Sequence, residues 1–176
     1  ECDGNLEAAV DWLREKGIMK AAKKESRIAA EGVCKFIVNG NEAVLFEVNC
    51  ETDFVAKGEP FVNLAAKVVK TVVAAKPAGV EALLATKAVD SDKTVDEEVQ
   101  EVFLALRENM KVRRFALIDG HTVTYIHAGG SVGVLVAFDV DDATAENADF
   151  VAMGKNVAMQ QFKNETHGLT LWPVVA

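Results

Sequence analysis

Apolar positions follow a helical period at the start of the chain. Leu6, Ala9, Val10 and Leu13 recur at i, i+3, i+4 and i+7, which predicts an amphipathic helix. Asn5 suits its N-cap and Gly17 the left-handed position past its end. Glu7 near the start and Arg14 and Lys16 near the end suit the helix dipole. One stripe cannot bury itself, so this reads as the last helix of a small helical module whose earlier helices lie outside the sequence. The next stretch, "MKAAKKESRIAAEG", is basic, alanine-rich and poor in large apolar residues. It reads as a partly helical linker, either solvated or in contact with a partner.

The period then drops to two. In "VCKFIVNGNEAVLFEVNC", β-branched and aromatic residues flank Asn39-Gly40, the turn dipeptide of a β-hairpin. Helical spacing returns behind Pro60 with Phe61, Leu64, Ala65, Val68 and Val72 on one face, and Pro77 and Gly79 are expected to end it. After an acidic loop, Thr94 and Glu97 form a capping-box pair ahead of a stripe of Val95, Val99, Val102, Phe103 and Leu106. "VRRFALI" reads as a further strand.

The second half repeats the first. A shift of 89 places Phe36-Ile37 on Tyr125-Ile126, Gly40 on Gly129 and Phe61-Val62 on Phe150-Val151, and one residue of slip also matches Val44-Leu45 with Val134-Leu135. Strand, glycine turn, strand, acidic loop and helix thus occur twice. The expected second hairpin is "VTYIHAGGSVGVLVAFD", followed by a helix from about Glu146 to Phe162. The fold class is α+β, with two related subdomains that each set a small antiparallel sheet against helices. Residues 1–17 form the leading helix, 18–32 the linker, 33–119 one subdomain, 120–163 the second and incomplete one, and 164–176 an unassigned tail.

Of the 176 residues 50% are hydrophobic and 26% charged, a globular balance. No apolar run reaches the roughly 18–20 residues of a spanning helix, and the first residues lack the pattern of an export signal. A cytoplasmic protein is expected. The three cysteines, Cys2, Cys34 and Cys50, lie far apart and form no C-x-x-C pair, so neither a disulfide framework nor a zinc or redox site is expected. A net charge of −8 argues against a phosphate-binding surface for nucleic acid. The expected partner is a protein or a small molecule.

Catalytic signals are sparse. His121, His127 and His167 show no metal-ligand spacing. "GGSVG" precedes a strand, whereas a phosphate-cradling glycine loop opens a helix. His121, Val123, Tyr125 and His127 would share one face of a continuous strand, which leaves open a small-molecule or enzymatic reading on the Tyr125/His127 face. The stretch "NCETDFVAK" poses a sharper question. Thr52 or Asp53 could cap a short turn with Phe54 as its first buried residue, making the chain a structural interaction module. Phe54 could instead be an exposed anchor, because it falls in a strand-to-helix connection beside an acid.

At this stretch a family enters. "EVNCETDFVAK" resembles the signature of elongation factor Ts, the guanine-nucleotide exchange factor of bacterial and organellar translation. "NLEAAVDWLREKGIMKAAKK" is similar to the last helix and linker of that family's ubiquitin-associated-like N-terminal module. "ENMKVRRF" is similar to its helix-to-strand junction, and "YIHAGGSVGVLV" to the hairpin of its second subdomain. The resemblance implies binding to elongation factor Tu carrying GDP, release of GDP, and a nucleotide-free complex that GTP can enter. Thr52, Asp53, Phe54 and Val55 match the segment that enters the partner's nucleotide domain and disturbs its magnesium site. Phe54 would be the wedge and Asp53 its polar neighbour, while His127 would help hold the same face. The factor itself would need no cofactor, nucleotide or metal. Arg107 departs from the family, which often has Gly there, and the chain stops resembling the family beyond about Phe162.

Overall fold

The computed structural model describes residues 2, 5–24, 29, 31–39 and 41–164. Strand β1 (Glu31–Asn39) pairs antiparallel with β2 (Glu42–Cys50), Phe36 opposite Leu45. Strand β3 (Lys111–Asp119) pairs antiparallel with the other edge of β2, so the order is β1-β2-β3. The turn residue Gly40 lies outside the described residues, as do 165–176, which hold nearly all of the unassigned tail.

Nearly continuous burial along β2 fits its central place. Val44, Phe46, Val48 and Cys50 are at most 1% exposed and join the hydrophobic core with the helices. Helix α2 (Asp53–Lys57) is a single turn, and α3 (Glu59–Ala75) follows it at once behind Gly58 and Pro60. All five residues of the expected α3 stripe, Phe61, Leu64, Ala65, Val68 and Val72, are buried. A left-handed Lys76 (φ 45°) ends α3 ahead of Pro77. Helix α4 (Val80–Ala85), which the period did not predict, inserts the fully buried Leu83. Helix α5 (Val95–Leu106) opens on the complete Thr94–Glu97 capping box, and Phe103 is buried.

The second unit repeats this plan. Strands β4 (His121–His127) and β5 (Val132–Phe138) form an antiparallel pair joined through a 3-10 turn at Ala128–Gly130. Helix α6 (Asp142–Ala145) precedes α7 (Ala148–Asn164). Moved by the 89 positions of the sequence repeat, the bounds of α3 coincide with those of α7, and the start of α2 with that of α6. Gly154 of α7 lies so close to β4 that a Cβ there would come within 2.7 Å of Val123. The other face of the β4-β5 pair meets the first sheet rather than a helix, for a Cβ on Gly133 would stand 2.9 Å from Leu45 and 3.0 Å from Cys34. Strand β2 is therefore covered on both faces.

Helix α1 (Leu6–Lys24) differs from expectation. It runs through Gly17 into the first part of the segment read as a linker. One interior glycine costs only about 1 kcal/mol, and the Lys and Ala residues beyond it favour helix. Residues 25–28 and 30 of that segment lie outside the described residues. Leu6, Val10 and Leu13 of the leading stripe are exposed.

Candidate functional site

Strand β2 ends at the fully buried Cys50, and the chain turns into α2 within two residues. Thr52 caps α2: its backbone is extended and its Oγ1 accepts from the Val55 amide at 3.3 Å. The Thr52 carbonyl accepts from the Ala56 amide at 3.1 Å and from the Cys50 thiol at 3.2 Å. Desolvation, reinforced by the charge of Glu108, pushes the Cys50 thiol up to about 11, so near neutral pH it acts as a buried donor and not as a nucleophile.

A five-residue helix has little stability of its own. Here Val55 and Ala56 anchor it in the core at 7% and 6% exposure. Phe54, between Asp53 and those anchors, is 83% exposed. The ring therefore stands on the solvent side of a turn whose next two residues are fixed beneath it. The reading of Phe54 as a buried first core residue is not what the structure shows; the buried residue after the cap is Val55. Asp53 is exposed and pairs with Lys57 one turn on at 2.9 Å. The hydrogen bond from that ammonium, and then its charge, hold the Asp53 carboxyl below its ordinary range.

The segment is also braced from the chain just before the neighbouring strand β3. Glu108 accepts from the Thr52 amide at 3.0 Å through Oε2 and from the Thr52 hydroxyl at 2.7 Å through Oε1. Glu51 returns the arrangement by accepting from the Asn109 amide at 2.7 Å. Neither acid was marked by the sequence reading. Their signal lies in the β2–β3 register: Asn49 stands opposite Lys111, so the residues just beyond that pair must face one another where the backbone ladder stops. Arg107, before Glu108, is left-handed at the end of α5 (φ 61°), the conformation that glycine adopts without strain. That gives a backbone reason for the glycine of the family pattern.

His127 is placed elsewhere, at the end of β4. Its Nδ1 lies 2.9 Å from the Tyr125 hydroxyl. The adjoining turn is pressed against β1, where a Cβ on Gly130, itself at φ 112°, would stand 3.3 Å from the Cys34 carbonyl oxygen. Thr52–Val55 thus form one continuous device, and His127 belongs to the junction between the two sheets.

A cavity of about 260 Å³ lies under α7, lined by Val38, His121, Thr122, Val123, Thr124, Ala145, Phe150, Val151 and Lys155. Tyr125 and His127 are not among its walls. Among the described residues no group of three or more His, Cys, Asp or Glu side chains is arranged to hold a metal ion, and no helix is long and apolar enough to cross a membrane.

Comparison with known proteins agrees with the resemblance. The family model described as "Elongation factor TS" matches residues 51–165. The elongation factor Ts of Syntrophotalea carbinolica is 44% identical over 162 residues, covering 90% of this chain and 53% of that protein. That of Nostoc punctiforme is 44% identical over 170 residues, covering 91% of this chain and 54% of that protein. The chain spans about half the length of these curated relatives. With the family's signature segment folded as a capped, braced turn and two-thirds of the sequence inside the family match, the chain belongs to the elongation factor Ts family.

Proposed function

We propose that this chain binds elongation factor Tu carrying GDP and promotes GDP release by inserting Asp53 and Phe54 into the partner, displacing its magnesium ion. One observation carries the reading: Phe54 is 83% exposed while Val55 and Ala56 beside it are buried. An exposed aromatic on an anchored turn is preorganised for burial elsewhere, so little ordering cost is left for the moment of binding. Burying a ring removes about 150–250 Å² from water, a gross gain of about 4–6 kcal/mol at roughly 25 cal/mol per Å². Hot-spot aromatics retain on the order of 2 kcal/mol or more after costs. That energy offsets distortion of the partner's metal and phosphate contacts. Coupling is reciprocal, so a wedge that weakens GDP is itself weakened by GDP, and the ternary complex is transient. Thr52 and Val55 hold the wedge, Asp53 supplies polar contacts beside it, and His127, at the junction of the two sheets, makes a separate contact with the partner. The reaction makes and breaks no covalent bond in this chain, and the work is done in the cytoplasm where translation runs.

The test is release of labelled GDP from elongation factor Tu with the wild-type chain and with Phe54→Ala. The wild type accelerates release, and the variant loses about tenfold or more, since 1.4 kcal/mol corresponds to one decade. Equal rates for the two chains refute the wedge.

A further inference from the structure

We infer that Glu108 is a positioning residue for Phe54, acting through Thr52 to fix the pose in which the ring is displayed. This rests on the exchange reading above. The argument begins with hydrogens. The Thr52 hydroxyl has one proton, and at 2.7 Å from Glu108 Oε1 that proton points at the carboxylate. Its lone pairs are then left for the Val55 amide at 3.3 Å. Glu108 thus sets the direction of the cap as well as gripping the Thr52 amide at 3.0 Å. Two bonds to one ionised carboxylate define both distance and rotation, as a single bond does not. Phe54 lies two residues beyond the gripped amide and one before the capped one.

The brace crosses from one strand end to the next. Glu108 holds the backbone after β2, and Glu51 holds the Asn109 amide before β3. The pair closes the sheet where the β2–β3 ladder ends at Asn49 and Lys111. Without Glu108 the core anchors Val55 and Ala56 remain, but the turn ahead of them gains alternative poses. Only a fraction of molecules then presents the ring correctly, and apparent affinity falls by that fraction.

The experiment has two readouts on the full 176-residue chain. In Glu108→Ala, amide hydrogen exchange at Thr52 and Val55 is expected to accelerate about tenfold or more, as for lost charge-assisted hydrogen bonds, with β2 amides unchanged. In labelled-GDP release from elongation factor Tu, the concentration of chain giving half-maximal stimulation is expected to rise about tenfold while the maximal rate is kept, because competent molecules still react normally. Glu108→Gln, which keeps one acceptor, is expected to fall between the two, and it carries the test if the alanine variant unfolds. Unchanged amide exchange in residues 52–55, or an unchanged half-maximal concentration, overturns the role of Glu108. Phe54→Ala separates this from the parent reading: if that variant is fully active, the wedge itself fails; if it is impaired while the Glu108 variants are normal, only the positioning role fails.

Discussion

Thr52 caps α2 by accepting from the Val55 amide, and Asp141, 89 positions later, caps α6 by accepting from the Thr144 amide at 2.7 Å. The two turns share their frame residue by residue. Asp53 corresponds to Asp142, Phe54 to Ala143, Val55 to Thr144 and Ala56 to Ala145. Even the carboxylate at the cap is common to both, carried by Asp141 itself in α6 and delivered by Glu108 in α2. The aromatic and its anchoring differ: Val55 and Ala56 are buried in α2, whereas α6 has no buried residue. A turn of this kind closes with alanine in Phe54's place, so the frame does not require a ring there. The acids also differ in partner: Asp53 pairs with Lys57 on its own turn, whereas Asp142 meets His121 of β4 at 3.0 Å. In the second unit the acid ties the turn back to its sheet; in the first it stays beside the exposed ring.

The helices that follow show the opposite bias. Phe61, Leu64, Val68 and Val72 of α3 are buried between the sheet and the other helices, and Val95 and Leu83 complete that core. The corresponding positions of α7 are Phe150, Met153, Val157 and Gln161, and Met153 is 42% exposed. Phe150 packs edge-on against Phe138 at a centroid distance of 5.0 Å. The first unit has the firmer core as well as the exposed ring. Truncation measures this contrast most strongly. Phe61→Ala is expected to cost about 3–5 kcal/mol, and Phe150→Ala, at a partly exposed position, about 1–2 kcal/mol, both read from urea midpoints. Equal losses would mean that the second core is as tight as the first.

These contrasts also mark what could be read from the chain. The α3 stripe and the Thr94–Glu97 box were legible because each is settled by residues within a few turns of one another. The repeat was legible because the two units keep the same spacing from hairpin to helix. Helix α4 was not, since six residues give too little period to separate from a loop. Gly17 misled because one glycine was weighed against no propensity on either side. At the site, the Thr52 cap was readable, but a first core residue and an exposed anchor look alike after a cap. The exposure of Phe54, with Val55 and Ala56 buried beside it, separated them. Glu108 stands 56 residues from Thr52, and local pattern does not carry a contact across that distance.

Both units turn corners on left-handed non-glycine residues: Ala128 at φ 46° beside Gly129 and Gly130 in the second, and Lys76 and Arg107 at φ 45° and 61° at the ends of α3 and α5 in the first. A left-handed non-glycine residue is strained by roughly 1–2 kcal/mol, and glycine gives part of that back through its greater freedom in the unfolded chain. Arg107→Gly is therefore expected to stabilise the chain by about 0.5–1 kcal/mol in thermal or urea unfolding. GDP release should stay at the wild-type level if position 107 matters only through its backbone. A slower release alongside greater stability would show that the Arg107 side chain itself reaches the partner.

The smallest expected effect tests the comparison between the turns most directly. Ala143→Phe, introduced into the Phe54→Ala chain, places a ring at the equivalent point of α6. Ala143 is exposed, so the substitution should change stability by no more than about 0.5 kcal/mol. GDP release should remain as low as in Phe54→Ala alone. The transplanted ring sits on a turn that is capped in the same way, but its acid is engaged by His121 and its sheet contributes a different surface to any partner. Specific docking depends on a hot spot meeting its own pocket in one orientation, not on exposed aromatic area. If the transplant restored release, the capped frame would suffice wherever it stood, and the brace from Glu108 would lose its reason for being at the first turn alone.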